Sequence, residues 1–169
     1  HITEALTYKP NVIVYPFAPW NGVLSDTIDN TRFDRDVIGM SDAIFGDWLQ
    51  KYIPEDVIFA VWYTSYRDGR YYNKIGYFQN GALISSYTKV NSFAFFDYVP
   101  KWALKYGVVS LPFDATPGEE PTLFEYDGAT IGSLICSEVG SEKASRENSV
   151  GANILFSLGS ETMFNNPIP

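Results

Sequence analysis

Three consecutive strand-like segments between residues 57 and 90 constrain the fold of this chain more than any other feature. They read 57-VIFAVWYTSY-66, 71-YYNKIGYF-78 and 82-ALISSYTKV-90, and they are rich in the β-branched and aromatic residues that favour strands. Asp68-Gly69 and Asn80-Gly81 separate them, and both dipeptides are typical of tight hairpin turns. The sequence therefore predicts three strands in succession in the middle of the chain.

The segments before these strands predict a helix and a further strand. A short helix over residues 2–9 is expected to end at Lys9-Pro10, because the residue before a proline avoids helical backbone angles. Residues 11–17 form an apolar, β-rich run that is typical of a buried strand. Residues 18–30 are rich in turn-forming residues.

A second helix is predicted over residues 42–53. Ser41 is a suitable N-cap, since its hydroxyl can accept a hydrogen bond from a free backbone N–H of the first turn. Pro54 ends the segment. We expect the apolar stripe of this helix to consist of Ile44, Trp48 and Leu49.

The C-terminal half alternates between strand and helix patterns after a long loop region. The expected elements are a loop region over 91–121, a hairpin over 122–136 that turns at Asp127-Gly128, a helix over 137–149 and an apolar strand over 152–158. Strands clustered in the middle, with helices and strands alternating at the ends, predict a mixed α/β layered fold.

Composition limits the classes of partner that suit this chain. At 169 residues, with 46% hydrophobic and 19% charged residues, it fits one folded domain. The net charge of −8 disfavours nucleic acid, whose binding surfaces need clustered Lys and Arg. No apolar run approaches the roughly 20 residues that span a bilayer. Both ends of the sequence look truncated, so we expect the chain to be a piece of a longer protein.

The single cysteine, Cys136, is the first candidate for chemistry. It ends a predicted strand where a helix is expected to begin, and such a junction exposes a side chain and favours a thiolate. A buried structural cysteine is the competing interpretation, because free cysteines are commonly buried. Lys89 at a strand end, Asp97 eight residues later and Glu138 two residues after Cys136 are charged groups that accompany it.

Other catalytic systems fit the sequence poorly. The only histidine is His1, at the chain end, which disfavours a Ser-His-Asp or Cys-His pair. One Cys and one His support no zinc site, and we expect no metal and no cofactor. Residues 116–121 are acidic and would repel phosphate. A thiol with a lysine and carboxylates remains, in which a carboxylate acts as base and the lysine stabilises anionic charge.

Four segments, taken in order, carry a resemblance to a known family. Residues 12-VIVYPFAP-19 look like a strand that ends in Trp-Pro-Glu, and residues 72–100 look like a Tyr-Asn hairpin, a Tyr-x-Lys and a Phe-Gly-Glu-Tyr-Val-Pro loop. Residues 117–138 are similar to a Pro-Gly approach and an Ile-Cys-Tyr-Glu strand, and residues 151–164 to the strand before Asn-Asp-Ala-Trp-Phe. The chain resembles the carbon–nitrogen hydrolase (nitrilase) superfamily, and within it the extracytoplasmic domain of apolipoprotein N-acyltransferase.

The resemblance implies a fold and a set of site residues. The fold is a nitrilase-like αββα sandwich with mixed β-sheets, present here as one partial domain over residues 1–169. In the family a Glu–Lys–Cys triad supplies base, oxyanion stabiliser and nucleophile. Cys136 matches the nucleophile and Lys89 the lysine, while Asp97 and Glu138 match two further acidic positions. Phe17 stands where the family has its general-base glutamate, and Ser137 where it has a tyrosine.

The resemblance also implies a reaction and a place for it. An acyl chain would pass from a phospholipid to Cys136 as a thioester, and then to the N-terminal amine of a lipoprotein. The site of action would be the extracytoplasmic face of the bacterial inner membrane, with attachment through segments outside this chain. Phe17 motivates an alternative, a pseudoenzyme that keeps the scaffold for binding or assembly. An amidase-type hydrolase is a third possibility.

Overall fold

The structure is a computed structural model, and it describes residues 2–16, 23–25, 39–107 and 114–159. Phe17, which marks the expected position of the general base, lies outside these residues, as do residues 160–164 of the divergent C-terminal motif. The described helices are α1 (Ile2–Leu6), α2 (Asp42–Gln50), α3 (Lys101–Lys105) and α4 (Glu142–Ser149), with a 3-10 helix at Cys136–Gly140. None of them is long and apolar enough to cross a membrane.

The larger sheet has six strands and contains the three predicted in the middle of the chain. Its members are β1 (Val12–Tyr15), β2 (Val23–Ser25), β3 (Gly39–Met40), β4 (Ile58–Arg67), β5 (Arg70–Gln79) and β6 (Ala82–Thr88). β4, β5 and β6 are antiparallel neighbours, whereas β1 and β2 both pair with β4 in parallel and β3 pairs with β2. The three central strands are therefore confirmed, and the mixed sheet places β4 between parallel and antiparallel partners.

Turn chemistry explains why the central strands reverse where they do. At the two predicted turns the central residues all have positive φ, with 50° at Asp68, 77° at Gly69, 47° at Asn80 and 71° at Gly81. Positive φ at both central positions is the geometry of a type I′ turn, whose twist matches that of the flanking strands. The second turn, together with a register shift between Tyr77 and Phe78, brings the end of β6 beside the middle of β5.

The second sheet has the order β7-β8-β9, with β7 (Phe124–Tyr126), β8 (Ala129–Ile135) and β9 (Ile154–Leu158). β7 and β8 form the predicted hairpin at Asp127-Gly128. β8 and β9 run parallel, and α4 lies in the connection between them. The prediction of a single helix over 137–149 is wrong in one respect. The chain first makes a 3-10 helix, and α4 begins only at Glu142.

Side-chain alternation on β4 divides the core into two layers. Phe59, Val61 and Tyr63 face α1 and α2, whereas Ile58 and Ala60 face the second sheet. On the far side of that sheet α4 packs against β8. Helices, two mixed sheets and a helix therefore stack in the predicted αββα order.

Some local expectations need correction. Ser41 does cap α2, accepting a hydrogen bond from the Ile44 backbone N–H at 3.2 Å. However, the predicted apolar stripe is wrong at Ile44, which is exposed. The next residue, Phe45, is fully buried in its place. The region 18–40 also contributes β2 and β3, which pair with tertiary partners, and α3 interrupts the loop expected over 91–121.

Candidate active site

Cys136 lies at a sharp bend between β8 and the 3-10 helix. Its φ is 50°, a left-handed conformation that β-strand and helix residues avoid. A non-glycine residue in this region costs roughly 1–2 kcal/mol, so the surrounding structure must hold it. The side chain is half-buried and packs against the core between the two sheets. The side chain at this strand-to-helix junction was expected to be exposed, and it is only partly so.

Lys89 follows directly after β6 and is buried, with 2% of its surface exposed. Its Nζ donates to Asp97 Oδ1 at 2.8 Å and Oδ2 at 2.6 Å. A third contact, of 2.9 Å, joins Nζ to the Oγ of Ser137, the residue after Cys136. The structure thus brings the sequence-predicted lysine beside the cysteine bend.

Asp97 is also buried, and its carboxylate is held by more than the lysine. Oδ1 accepts a hydrogen bond from Asn73 Nδ2 at 3.0 Å, and Oδ2 accepts one from the Phe93 backbone N–H at 2.7 Å. The Lys89–Asp97 pair is therefore a buried ion pair with additional hydrogen bonds, and these offset part of the cost of desolvating two charges.

Glu138 is 1% exposed and joins two parts of the chain. Oε1 accepts hydrogen bonds from the Tyr87 hydroxyl and from the backbone N–H groups of Val90 and Asn91, at 2.8, 3.1 and 3.0 Å. Oε2 accepts one from the Ile135 N–H at 2.8 Å. One carboxylate therefore ties the segment after Lys89 to the residue before Cys136.

Burial and charge around Glu138 change the acidity of its neighbour. Burial raises the pKa of the Tyr87 hydroxyl well above its ordinary value, and the negative charge of Glu138 raises the pKa further. Tyr87 consequently stays protonated and acts as a hydrogen-bond donor to the carboxylate.

Sequence reasoning placed four of the residues that meet here and missed others. Cys136, Lys89, Asp97 and Glu138 converge on the bend, and Phe17 lies outside the described residues. Asn73 and Tyr87 were missed as site residues, and Ser137 was noted only as a departure from the family tyrosine. The turn at Asn80-Gly81 alone would place Asn73 opposite Thr88. A register shift between Tyr77 and Phe78 places Asn73 opposite Lys89 instead, whose N–H donates to Asn73 O at 2.8 Å.

An exposed group of aromatic side chains adjoins the site. This aromatic patch comprises Phe93, Phe95, Phe96, Trp102 and Tyr106, whose exposed fractions lie between 47% and 81%. Phe93 contacts Phe96 edge-on, and Phe95 contacts Trp102 in the same way, at centroid distances of 6.4 and 5.9 Å. The patch is connected to the buried Lys89–Asp97 pair through the Phe93 N–H, which donates to Asp97.

Within the part of the chain that the structure describes, no group of three or more His, Cys, Asp or Glu side chains is placed to hold a metal ion.

Comparisons with known proteins support the fold. No family model and no curated protein sequence matches the chain. Among solved structures, it is similar to an amidase from Nesterenkonia sp., with a TM-score of 0.59 and 13% identity over 94% of this chain and 55% of that one. A variant of the Nesterenkonia sp. AN1 amidase, at 12% identity, carries the acetamide moiety of fluoroacetamide on its active site cysteine.

Two further solved structures are similar to this chain. Nit3 from Saccharomyces cerevisiae, a member of the nitrilase superfamily, has a TM-score of 0.57 and 14% identity over 94% of this chain and 55% of its own. The glutamine-dependent NAD+ synthetase of Acinetobacter baumannii has a TM-score of 0.58 and 17% identity, over 99% of this chain and 28% of the synthetase. The chain thus has the carbon–nitrogen hydrolase fold and spans about half the length of these structures or less.

Proposed function

We propose that this chain is a divergent N-acyltransferase-like domain in which Cys136 carries the acyl group as a thioester. The observation that supports it best is the bend at Cys136, held in a left-handed conformation beside the buried Lys89–Asp97 pair. Strained backbone of this kind is concentrated at functional sites. A purely structural cysteine would need neither the bend nor a buried ammonium next to it.

In the first step the Cys136 thiolate attacks the carbonyl carbon of an acyl ester. A C–S bond forms, the ester C–O bond breaks, and the leaving alkoxide takes a proton from water. Negative charge develops on the carbonyl oxygen, and the Lys89 ammonium supplies the positive charge beside the bend. Because Cys136 is half-exposed, its thiol proton can leave to solvent.

In the second step an amine attacks the thioester. A C–N bond forms, the C–S bond breaks, and the free thiol is restored. We assign Asp97 and Glu138 as positioning groups in both steps, since each carboxylate already accepts four hydrogen bonds from buried or partly buried donors. Asp97 holds the ammonium, and Glu138 holds the bend.

The aromatic patch supports a lipid as the acyl donor. Tyr and Trp side chains suit the boundary between water and acyl chains, because each has an apolar ring and one polar group. Exposed Phe side chains add apolar surface that can contact acyl chains. Lys101 and Lys105 of α3 are exposed next to Trp102. The proposal therefore includes a phospholipid donor, the amine of a lipoprotein as acceptor, and action at the extracytoplasmic face of the bacterial inner membrane, with attachment through segments outside this chain.

A second candidate function is an amidase-type hydrolase, favoured by the likeness to the Nesterenkonia amidase. It shares the thioester at Cys136, but the first leaving group is an amine and water resolves the thioester. The two functions differ in their products, because the transferase forms a new amide and the hydrolase releases a free acid.

A product assay separates these functions. The chain is incubated with phospholipid vesicles and a lipid-modified peptide that has a free N-terminal amine, and separately with short-chain amides, with Cys136→Ala as the matched control. The proposal predicts a lipopeptide heavier by one acyl group, formed only with Cys136. Release of acid from short amides without vesicles would favour the amidase, and inactivity in both assays would favour a pseudoenzyme.

A further inference from the structure

The hydroxyl of Ser137 occupies a position that neither the proposed nucleophile nor the proposed lysine explains. It accepts a hydrogen bond from Lys89 Nζ at 2.9 Å, and it belongs to the residue directly after Cys136. Ser137 is half-buried, as Cys136 is, and the two are consecutive residues at the bend. In contrast, Lys89 is almost fully buried.

The donors of Lys89 are fully used in this arrangement. An ammonium has three N–H donors and no acceptor. Three acceptor atoms surround Nζ within 2.9 Å, two carboxylate oxygens of Asp97 and the Ser137 Oγ. An acyl oxygen at the bend would therefore find no unused proton on Lys89.

The Ser137 hydroxyl does have an unused proton. A hydroxyl that accepts a hydrogen bond can still donate its own, and within residues 39–107 and 114–159 the contact with Lys89 is the one hydrogen bond found for this side chain. An ammonium that donates to a hydroxyl polarises the O–H bond and makes that hydroxyl a stronger donor.

We propose that Ser137 is an additional catalytic residue, whose hydroxyl donates to the acyl oxygen and conveys the charge of Lys89 to it. This inference rests on the proposed thioester chemistry of Cys136. As the thiolate attacks the carbonyl carbon, the C=O electron pair moves onto oxygen, and the Ser137 O–H stabilises that charge while Lys89 stays bonded to Asp97.

Two reagents that attack the same sulfur distinguish this role from a structural one. p-Nitrophenyl acetate acylates Cys136, with formation of a C–S bond, loss of p-nitrophenolate and development of an oxyanion. Iodoacetamide alkylates the same thiolate with loss of iodide, and no charge develops on its carbonyl oxygen. Only the acylation rate should depend on an oxyanion donor.

The experiment measures both rates for wild type, Ser137→Ala, Ser137→Thr and the control Ser149→Ala, which removes an exposed hydroxyl in α4. The expected result is that Ser137→Ala slows acylation by about 10²-fold and leaves alkylation nearly unchanged, while Ser137→Thr and Ser149→Ala keep both rates. Unchanged or faster acylation in Ser137→Ala, or equal slowing of both reactions, would overturn the inference. If wild type is alkylated at Cys136 but never acylated, the proposed function itself fails.

Discussion

At the scale of single residues, Glu138 stabilises more of the structure than its place in the sequence indicates. Its carboxylate is buried, and the four donors around it come from Tyr87, from the segment after Lys89 and from Ile135 before the bend. Donors from two separate chain segments converge on it. Loss of the carboxylate would leave two buried donors, the Tyr87 O–H and the Ile135 N–H, and two partly buried N–H groups without this acceptor, which is costly.

Replacement of Glu138 should therefore destabilise the fold as well as the site. We expect Glu138→Ala to lower the free energy of unfolding by more than about 3 kcal/mol, because two buried and two partly buried donors lose a charged acceptor. The matched control is Glu142→Ala, an exposed carboxylate in the first turn of α4, which should cost less than about 1 kcal/mol. Urea titration measures both, and similar losses in the two variants would contradict the role of Glu138.

Tyr87 gives a prediction for alkaline pH. Burial and Glu138 raise the pKa of its hydroxyl above the ordinary value of 10.0 in the folded state. The unfolded chain therefore loses this proton first as the pH rises, so the folded state binds more protons and stability falls above about pH 10. The contribution is complete below pH 10 and is lost as the pH rises toward the folded pKa.

The measurement is the free energy of unfolding of wild type and Tyr87→Phe between pH 8 and 11. The wild-type value should fall with a steeper slope above pH 10, by up to about 1.4 kcal/mol per pH unit for one proton. The difference between the two proteins should consequently shrink with rising pH. Parallel curves would show that Tyr87 ionises equally in the folded and unfolded states.

What the sequence could predict at this scale depended on the type of interaction. The identities of Cys136, Lys89, Asp97 and Glu138 followed from their resemblance to family motifs. The contact between Lys89 and Ser137 did not, because it depends on the side-chain conformations that two distant segments adopt after packing. The hydrogen bonds from the Val90 and Asn91 N–H groups to Glu138 depend on tertiary packing in the same way.

At the scale of elements, β8 and α4 set the position of Cys136. Residues on β8 alternate, so that Ile131, Ser133 and Ile135 face the first sheet while Gly132 faces α4. A Cβ at Gly132 would lie 2.1 Å from the Asn148 backbone oxygen. The helix can lie this close to the strand only because Gly132 has no side chain.

Gly132→Ala should therefore push α4 away from β8. We expect a loss of about 1–3 kcal/mol from overpacking, measured by thermal or urea unfolding. Gly140→Ala is the matched control, since a Cβ there meets nothing within 4 Å, and it should be neutral or slightly stabilising. If Gly132→Ala were as stable as Gly140→Ala, the close packing of helix and strand would be wrong.

Elements with strong local signals were predictable, and those that need distant partners were not. The hairpins follow from Asp-Gly and Asn-Gly turns, whose backbone preference is local. β2 and β3 are short, and their pairing partners are distant in sequence, so the turn-rich composition around them dominated the prediction. In α2, Ile44 and Phe45 are both apolar, and tertiary packing, including the edge-on contact with Phe78 of β5, selects Phe45 for burial.

At the scale of the whole molecule, the aromatic patch is a group of large exposed side chains that the core does not account for. It lies on the loop that also supplies Asp97 and the Phe93 N–H to the site. A surface that meets lipid there would bring an acyl chain to the side of the molecule where Lys89 is held.

Vesicle binding tests this surface. We expect Trp102→Ser to weaken the association of the chain with phospholipid vesicles severalfold, since it removes one of the largest exposed apolar side chains. Tyr8→Ser is the matched control, because Tyr8 is 80% exposed but lies near α1, outside the patch. Cosedimentation with vesicles measures both, and equal binding by the two variants would argue against a lipid-facing patch.

The most direct test of the central claim is to locate the acyl group on the chain. The chain is exposed briefly to an activated acyl ester, digested and mapped by mass spectrometry, with and without neutral hydroxylamine, which cleaves thioesters. The account predicts one added acyl group on the peptide that contains Cys136, removed by hydroxylamine and absent from Cys136→Ala. An adduct that persists in Cys136→Ala, or no adduct in the folded wild type, would contradict it.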